Sequence, residues 1–137
     1  MTAKLCLGMS ILTLASFAAL AEPAAAACHR GDSACPVVLH MRHGTSIILA
    51  TGVVSGESPD FFFKFGARAH QTLKIETRGG GLKHAGIAIT LPSGKSDGVE
   101  EGAPYKLPET GNYLFSVHAN TMSDGPFGKF TLRLQIR

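Results

Sequence analysis

Serine, histidine and acidic side chains all occur in this chain, so the parts of a nucleophilic triad are available. Their arrangement is not. No G-x-S-x-G elbow is present to lift a serine onto a strained turn. Histidines stand at His29, His40, His43, His70, His84 and His118. His40-x-x-His43 could offer two imidazoles to a metal. In a strand, however, residues i and i+3 face opposite ways, so the pair chelates only if the strand ends between them. No thiolate or carboxylate lies at a recognised zinc spacing. Glu100 and Glu101 are adjacent rather than facing, which suits a solvated loop better than an acid–base pair. No constellation combines a nucleophile, a base and an orienting group. The expectation is therefore no catalytic residue, no metal and no cofactor.

Two short strings imitate recognition signals. Leu107-Pro108-Glu109-Thr110-Gly111 fits the sortase pattern L-P-x-T-G. A sorting signal precedes an apolar tail, whereas two strand-like segments follow here, so the string reads as a turn before a strand. Arg30-Gly31-Asp32 lies between Cys28 and Cys35. A closed loop would preorganise such a tripeptide for an integrin-like metal site, but Gly and Asp are also ordinary loop residues, favoured for backbone reasons.

The elements that must position any site begin with an export pattern. Lys4 gives a short positive region, Leu5 to Leu20 an apolar one, and small residues follow. The apolar run is shorter than the ~20 residues that span a bilayer. Ala19-Leu20-Ala21 and Ala25-Ala26-Ala27 both offer cleavage sites, and we read 1–27 as a signal peptide that is removed. The mature chain is then expected not to insert stably in a membrane. Ala25-Ala26-Ala27-Cys28 also resembles a lipobox, with Ala where Leu is usual; lipidation would leave Cys35 unpaired. The reading adopted is a Cys28–Cys35 disulfide, as exported cysteine pairs suggest. Its small loop contributes on the order of 2 to 3 kcal/mol at most and belongs to an N-terminal segment, 28–44.

The chain of 137 residues is 45% hydrophobic and 17% charged, with 16 Gly, 7 Pro and no Trp. About 110 residues remain after cleavage, enough for one modest core. Lys and Arg total 13 against 10 Asp and Glu, dispersed without a basic block, so no nucleic-acid partner is expected. Apolar alternation then marks strands. Phe61, Phe63 and Phe65 share a face; so do Leu73, Ile75 and Thr77; Ile87, Ile89 and Leu91; Tyr113, Phe115 and Val117; and Phe130, Leu132, Leu134 and Ile136. Thr45 to Val54 is β-branched, with a possible bulge at Gly52. Pro36 to Met41 and Tyr105 to Leu107 are shorter runs, and His70 could sit in one helical turn. Turns are expected at Ser55–Pro59, Gly79–Gly81 and Pro92–Gly94, and loops at Lys95–Gly102 and Asn120–Gly128. The fold class is all-β: an antiparallel, jelly-roll-like β-sandwich of seven to eight strands in a single domain, 45–137.

The order of these pieces resembles the bacterial pre-peptidase C-terminal (PPC) domain. That pattern runs from an aromatic strand through G-x-x-x-Q-x-L-x-I, an apolar strand with L-x-x-P-x-G, L-P-x-x-G-x-Y and a final Y/F-x-L-x-I strand. Here they are Phe61–Phe65, Gly66–Ile75, Ile87–Gly94, Leu107–Val117 and Phe130–Ile136. The match covers residues 45 to 136 and implies a sandwich acting as an accessory or binding module. The chain is also similar in size and look to free-standing periplasmic inhibitors of i-type and g-type lysozymes, which insert a loop into the enzyme cleft. The i-type pattern S-G-x-x-Y departs here: Ser55-Gly56 is followed by Glu57-Ser58-Pro59, and Ser93-Gly94 by Lys95-Ser96-Asp97.

The resemblance implies a non-catalytic protein of the periplasm or secreted medium that binds a protein, a lysozyme or other glycosidase, through loops at one end of the sandwich. The candidate contacts are Ser55, Gly56, Glu57, Arg78, Ser93, Gly94, Lys95 and Asp124. Lys95 and Arg78 are the cations to meet acidic groups of a glycosidase cleft. The alternative is an envelope structural or glycan-binding domain. With no Trp to stack on sugars, and Tyr105 and Tyr113 expected inside, that alternative is the weaker one.

Overall fold

Alternation at Phe61, Phe63 and Phe65 forces three rings onto one side of any strand that carries them. In the computed structural model that strand is Asp60–Ala67, with the three rings buried and Lys64 turned to solvent. The structure describes residues 27–79, 82, 85–122 and 124–137. The expected signal up to residue 26, and Gly80, Gly81 and His84, lie outside the described residues.

The described strands are β1 (Val37–Leu39), β2 (Ile47–Val54), β3 (Asp60–Ala67), β4 (Thr72–Arg78), β5 (Ala85–Thr90), β6 (Ser96–Gly98), β7 (Tyr105–Lys106), β8 (Gly111–Ala119) and β9 (Gly128–Ile136). They form two sheets, ordered β1-β3-β8-β5-β6 and β2-β9-β4-β7. Neighbours run antiparallel except β1, which lies parallel to β3 with Val37 opposite Phe63. No helix among the described residues is long and apolar enough to cross a membrane.

The sandwich matches the expected class, with differences of detail. Nine strands replace seven or eight, because Ser96–Gly98, read as loop, pairs with β5 as a short edge. The rest of that segment is not all solvated: Val99 is buried, and the Gly102 N–H donates to the Ile75 carbonyl at 2.8 Å. Gly52 is not a bulge, since β2 and β9 pair residue for residue from Ile47 opposite Gln135 to Val54 opposite Gly128. It is a close approach: a Cβ there would collide with the Phe130 ring and lie 3.1 Å from Phe61. His70 takes a left-handed turn (φ 70°), not a helical one.

Between the sheets lies an aromatic layer. Phe63 stacks on Phe115 with centroids 5.2 Å apart, Phe65 on Tyr113 at 5.4 Å, and Phe130 from the other sheet meets Phe61 edge-on at 5.8 Å. Such pairs add about 0.5–1.5 kcal/mol beyond area burial. Tyr113 is fully buried, so its hydroxyl must find partners inside. It donates to the Glu109 carbonyl at 2.5 Å and accepts from the Glu109 N–H at 3.0 Å. Tyr113→Phe leaves both backbone groups short of a partner, and a loss of about 1–3 kcal/mol is expected in urea unfolding. A change below the error of the measurement would show that water replaces the hydroxyl.

The L-P-E-T-G string is consumed by this corner. Leu107 is buried and its carbonyl accepts from the His70 N–H; Thr110 Oγ1 accepts from the Ala69 N–H; Gly111 packs against Pro92.

Candidate functional site

Strand directions decide which loops can act together. At one end β2 stops at Val54, β3 starts at Asp60, β4 stops at Arg78, β8 stops at Ala119 and β9 starts at Gly128. The Ser55–Pro59 turn and the Asn120–Phe127 loop therefore share this first end, bonded through the Ala119 N–H and the Pro59 carbonyl at 2.9 Å. Of the expected contacts, Ser55, Gly56, Glu57, Arg78 and Asp124 gather here. Ser93, Gly94 and Lys95 do not. They join β5 to β6, where Thr90 pairs with Ser96 and Leu114, at the opposite end.

Ser93 is also occupied: its N–H and Oγ bond the Glu109 carboxylate at 2.8 and 2.7 Å. Gly94 closes a turn onto the Leu91 carbonyl. Ser55 closes its own turn, its N–H donating to the Ser58 carbonyl and its Oγ accepting from the Ser58 N–H.

The N-terminal loop completes the first end. Cys28 and Cys35 are disulfide-bonded, with Cα atoms 5.9 Å apart. Inside the loop the Asp32 carboxylate caps the His29 N–H at 3.1 Å, and the Gly31 carbonyl accepts from the Phe62 N–H at 2.7 Å. Gly31 has φ +95°, and a Cβ would run into the Phe61 ring, so only glycine lets the loop dock so closely. Arg30 lies over that ring at 5.9 Å, within cation–π range. Each residue of the R-G-D string thus has a local structural task.

Two clefts flank this loop. One, of about 400 Å³, is bounded by Arg30, Val53, Phe61, Gly79, Lys129 and Phe130. The other, of about 370 Å³, is bounded by Asp32, Glu57, Pro59, Asp60 and Phe62. The first is apolar with cations at its rim; the second carries carboxylates. Met122 is 97% exposed on the neighbouring loop, and Phe127 is also exposed. Lys129 was not among the sequence candidates; Arg30 stood there only within the R-G-D string, and Met122 and Phe127 only within the Asn120–Gly128 loop. Lys129 could have been found as the outward position opening β9.

The outer face of the four-stranded sheet gathers cations that the sequence scatters. Outward positions on β4, β7 and β9 carry Lys74, Arg78, Lys106, Lys129 and Arg133. Glu76 sits among them, 2.8 Å from Lys74 Nζ, 3.3 Å from Arg133 and 3.6 Å from Arg78. The Lys74 hydrogen bond holds the Glu76 carboxyl below its ordinary 4.5; burial opposes it, and the charges of Lys74, Arg133 and Arg78 add to the lowering. A depressed folded-state pKa gives stability that is complete above 4.5 and lost as pH falls through the lowered value. Glu76→Gln is therefore expected to melt below the wild type at neutral pH, with the gap closing in acid. A gap that widens in acid would reverse the assignment.

At the far side edge, the half-buried Tyr105 donates to Asp97 at 2.9 Å and ties the sheets together. Burial, then this bond and the Asp97 charge, push its phenol up to about 12. Glu101 accepts from both the backbone N–H and the hydroxyl of Thr77, giving it a structural anchor. Among the described residues no group of three or more His, Cys, Asp or Glu side chains could hold a metal ion.

The two-sheet arrangement is shared with proteins of known structure. No protein-family model and no curated protein matches the chain in sequence. Solved structures do match in shape. PliG of Salmonella Typhimurium, described as a periplasmic lysozyme inhibitor of g-type lysozyme, superposes with a TM-score of 0.61 at 19% identity, covering 74% of this chain and 97% of its own. A mutant of the Escherichia coli PliG gives 0.60 at 20% identity with the same coverage. PliG of Aeromonas hydrophila gives 0.61 at 19%, covering 74% and 96%. At such identity the likeness establishes the fold.

Proposed function

We infer that this chain is an exported, non-catalytic binding protein that inhibits a lysozyme through the first end of its sandwich. The observation that carries the reading is a fold shared over nearly the whole length of proteins described as periplasmic inhibitors of g-type lysozyme. The disulfide suits an oxidising compartment. With residues 1–27 read as a cleaved signal, 28–44 as the N-terminal segment and 45–137 as the PPC-like sandwich, the periplasm is the proposed location.

Glycosidases act through paired carboxylates in a cleft. Arg30 and Lys129 set a cationic rim beside an apolar cleft, and Met122 and Phe127 add exposed apolar surface on the adjoining loop. That combination suits an acidic groove lined with hydrophobic subsites. The opposite end, with Ser93 held by Glu109, supplies no contact in this reading.

The test is lysis of a cell-wall suspension by g-type, c-type and i-type lysozymes in the presence of the purified protein. Inhibition of the g-type enzyme at micromolar or lower concentration is expected. No effect on any of the three would remove the proposal.

A further inference from the structure

We propose that two copies of this chain associate through the free edges of β2, joining their four-stranded sheets into one continuous sheet. The inference does not depend on the partner read above.

The two sheets have four edge strands. β1 and β6 are three residues long and β7 is two, so none offers a template of any length. β2 is eight residues long and reads Ile-Ile-Leu-Ala-Thr-Gly-Val-Val. It has no charge, no proline and no bulge, which are the devices that ordinarily blunt an edge. On its outer face Ile47, Leu49 and Val53 are 40%, 68% and 49% exposed.

The backbone is set for pairing. The Ile136 N–H donates to the Ser46 carbonyl at 2.9 Å. In an antiparallel ladder such bonds recur at every second residue. The even positions of β2 therefore turn to β9, and the N–H and C=O groups of Ile47, Leu49, Thr51 and Val53 point outward, away from the sheet. No described strand accepts them.

The occupant is a second copy because the edge is complementary to itself. Two antiparallel β2 strands with Ala50 on the two-fold axis place Ile47 against Val53 and Leu49 against Thr51, twice over. All four outward-pointing residues then form bonded pairs, and the apolar outer faces coincide. The same register sets the turn holding Arg42 and His43 in one copy beside the turn holding Glu57 in the other. Arg42 and Glu57 are both exposed and form no ion pair among the described residues. Their chemistry matches only if the strands run antiparallel, as a two-fold requires.

Sedimentation of the purified protein over a range of concentrations tests this. A monomer–dimer equilibrium is expected. Leu49→Lys should weaken it by about 100-fold or more, as a charge on an edge disfavours pairing, with the melting temperature of the monomer unaltered. Glu57→Arg should also weaken it, and Arg42→Glu/Glu57→Arg should restore it; both positions lie in turns and leave the strands untouched. A monomer at every concentration, a dimer indifferent to Leu49→Lys, or a double variant that fails to recover would overturn the proposal.

Discussion

Phe63→Ala is expected to cost about 3–5 kcal/mol, the usual loss when a fully buried aromatic leaves a cavity in a core. The ring is 0% exposed and touches both neighbours of its layer: Phe115 at 5.2 Å and Phe61 at 5.0 Å, with Phe130 of the opposite sheet at 6.1 Å. It also lies on the strand that holds β1 on one side and β8 on the other. Against a total stability of about 5–15 kcal/mol, this one change leaves a marginal protein. Urea unfolding followed by circular dichroism measures it. Phe62→Ala, one residue away on the outer face, is the control, and a loss of at most about 1 kcal/mol is expected there. Equal losses at both positions would contradict the assigned faces of β3.

The second large effect concerns the inhibition read from the first end. Arg30→Glu/Lys129→Glu reverses both cations at the rim of the apolar cleft and is expected to weaken inhibition of g-type lysozyme by about 100-fold or more. Like charges brought together across an interface cost several kcal/mol. Neither cation makes an ion pair among the described residues, so the fold should tolerate the change. Arg30 does contribute a cation–π contact to Phe61, and the melting temperature separates a loss of binding from a loss of loop docking. Lys95→Glu, at the opposite end, should leave inhibition unaltered. The reverse order of effects would move the contact surface to the β5–β6 turn.

Much of this architecture was legible in the residue order. The rings of β3, Leu73 and Ile75 of β4, and the four apolar positions of β9 alternate so regularly that their faces could be assigned before any packing was known. The disulfide followed from two cysteines in a chain with an export pattern. β6 was not legible: Ser-Asp-Gly is polar, exposed throughout and three residues long, so it carries no period to detect. Gly52 looked like a bulge because a glycine inside a strand has two meanings, and only the Phe130 ring beneath it decides between them. The candidate site was split for a different reason. Position along a chain does not say at which end of a sandwich a turn emerges; that depends on strand direction, and Ser93–Lys95 emerge opposite to Ser55–Glu57. The basic outer face was hidden likewise, because Lys74, Arg78, Lys106, Lys129 and Arg133 are scattered in sequence and meet only through register.

β9 lies inside its sheet, holding β2 on one side and β4 on the other. Among the described strands β2 pairs only with β9, from the other side of the sequence, and contacts so distant along the chain form slowly. Without β9, β2 has no partner in its sheet and β4 keeps only the two-residue β7. Closure of the four-stranded sheet therefore waits on β9.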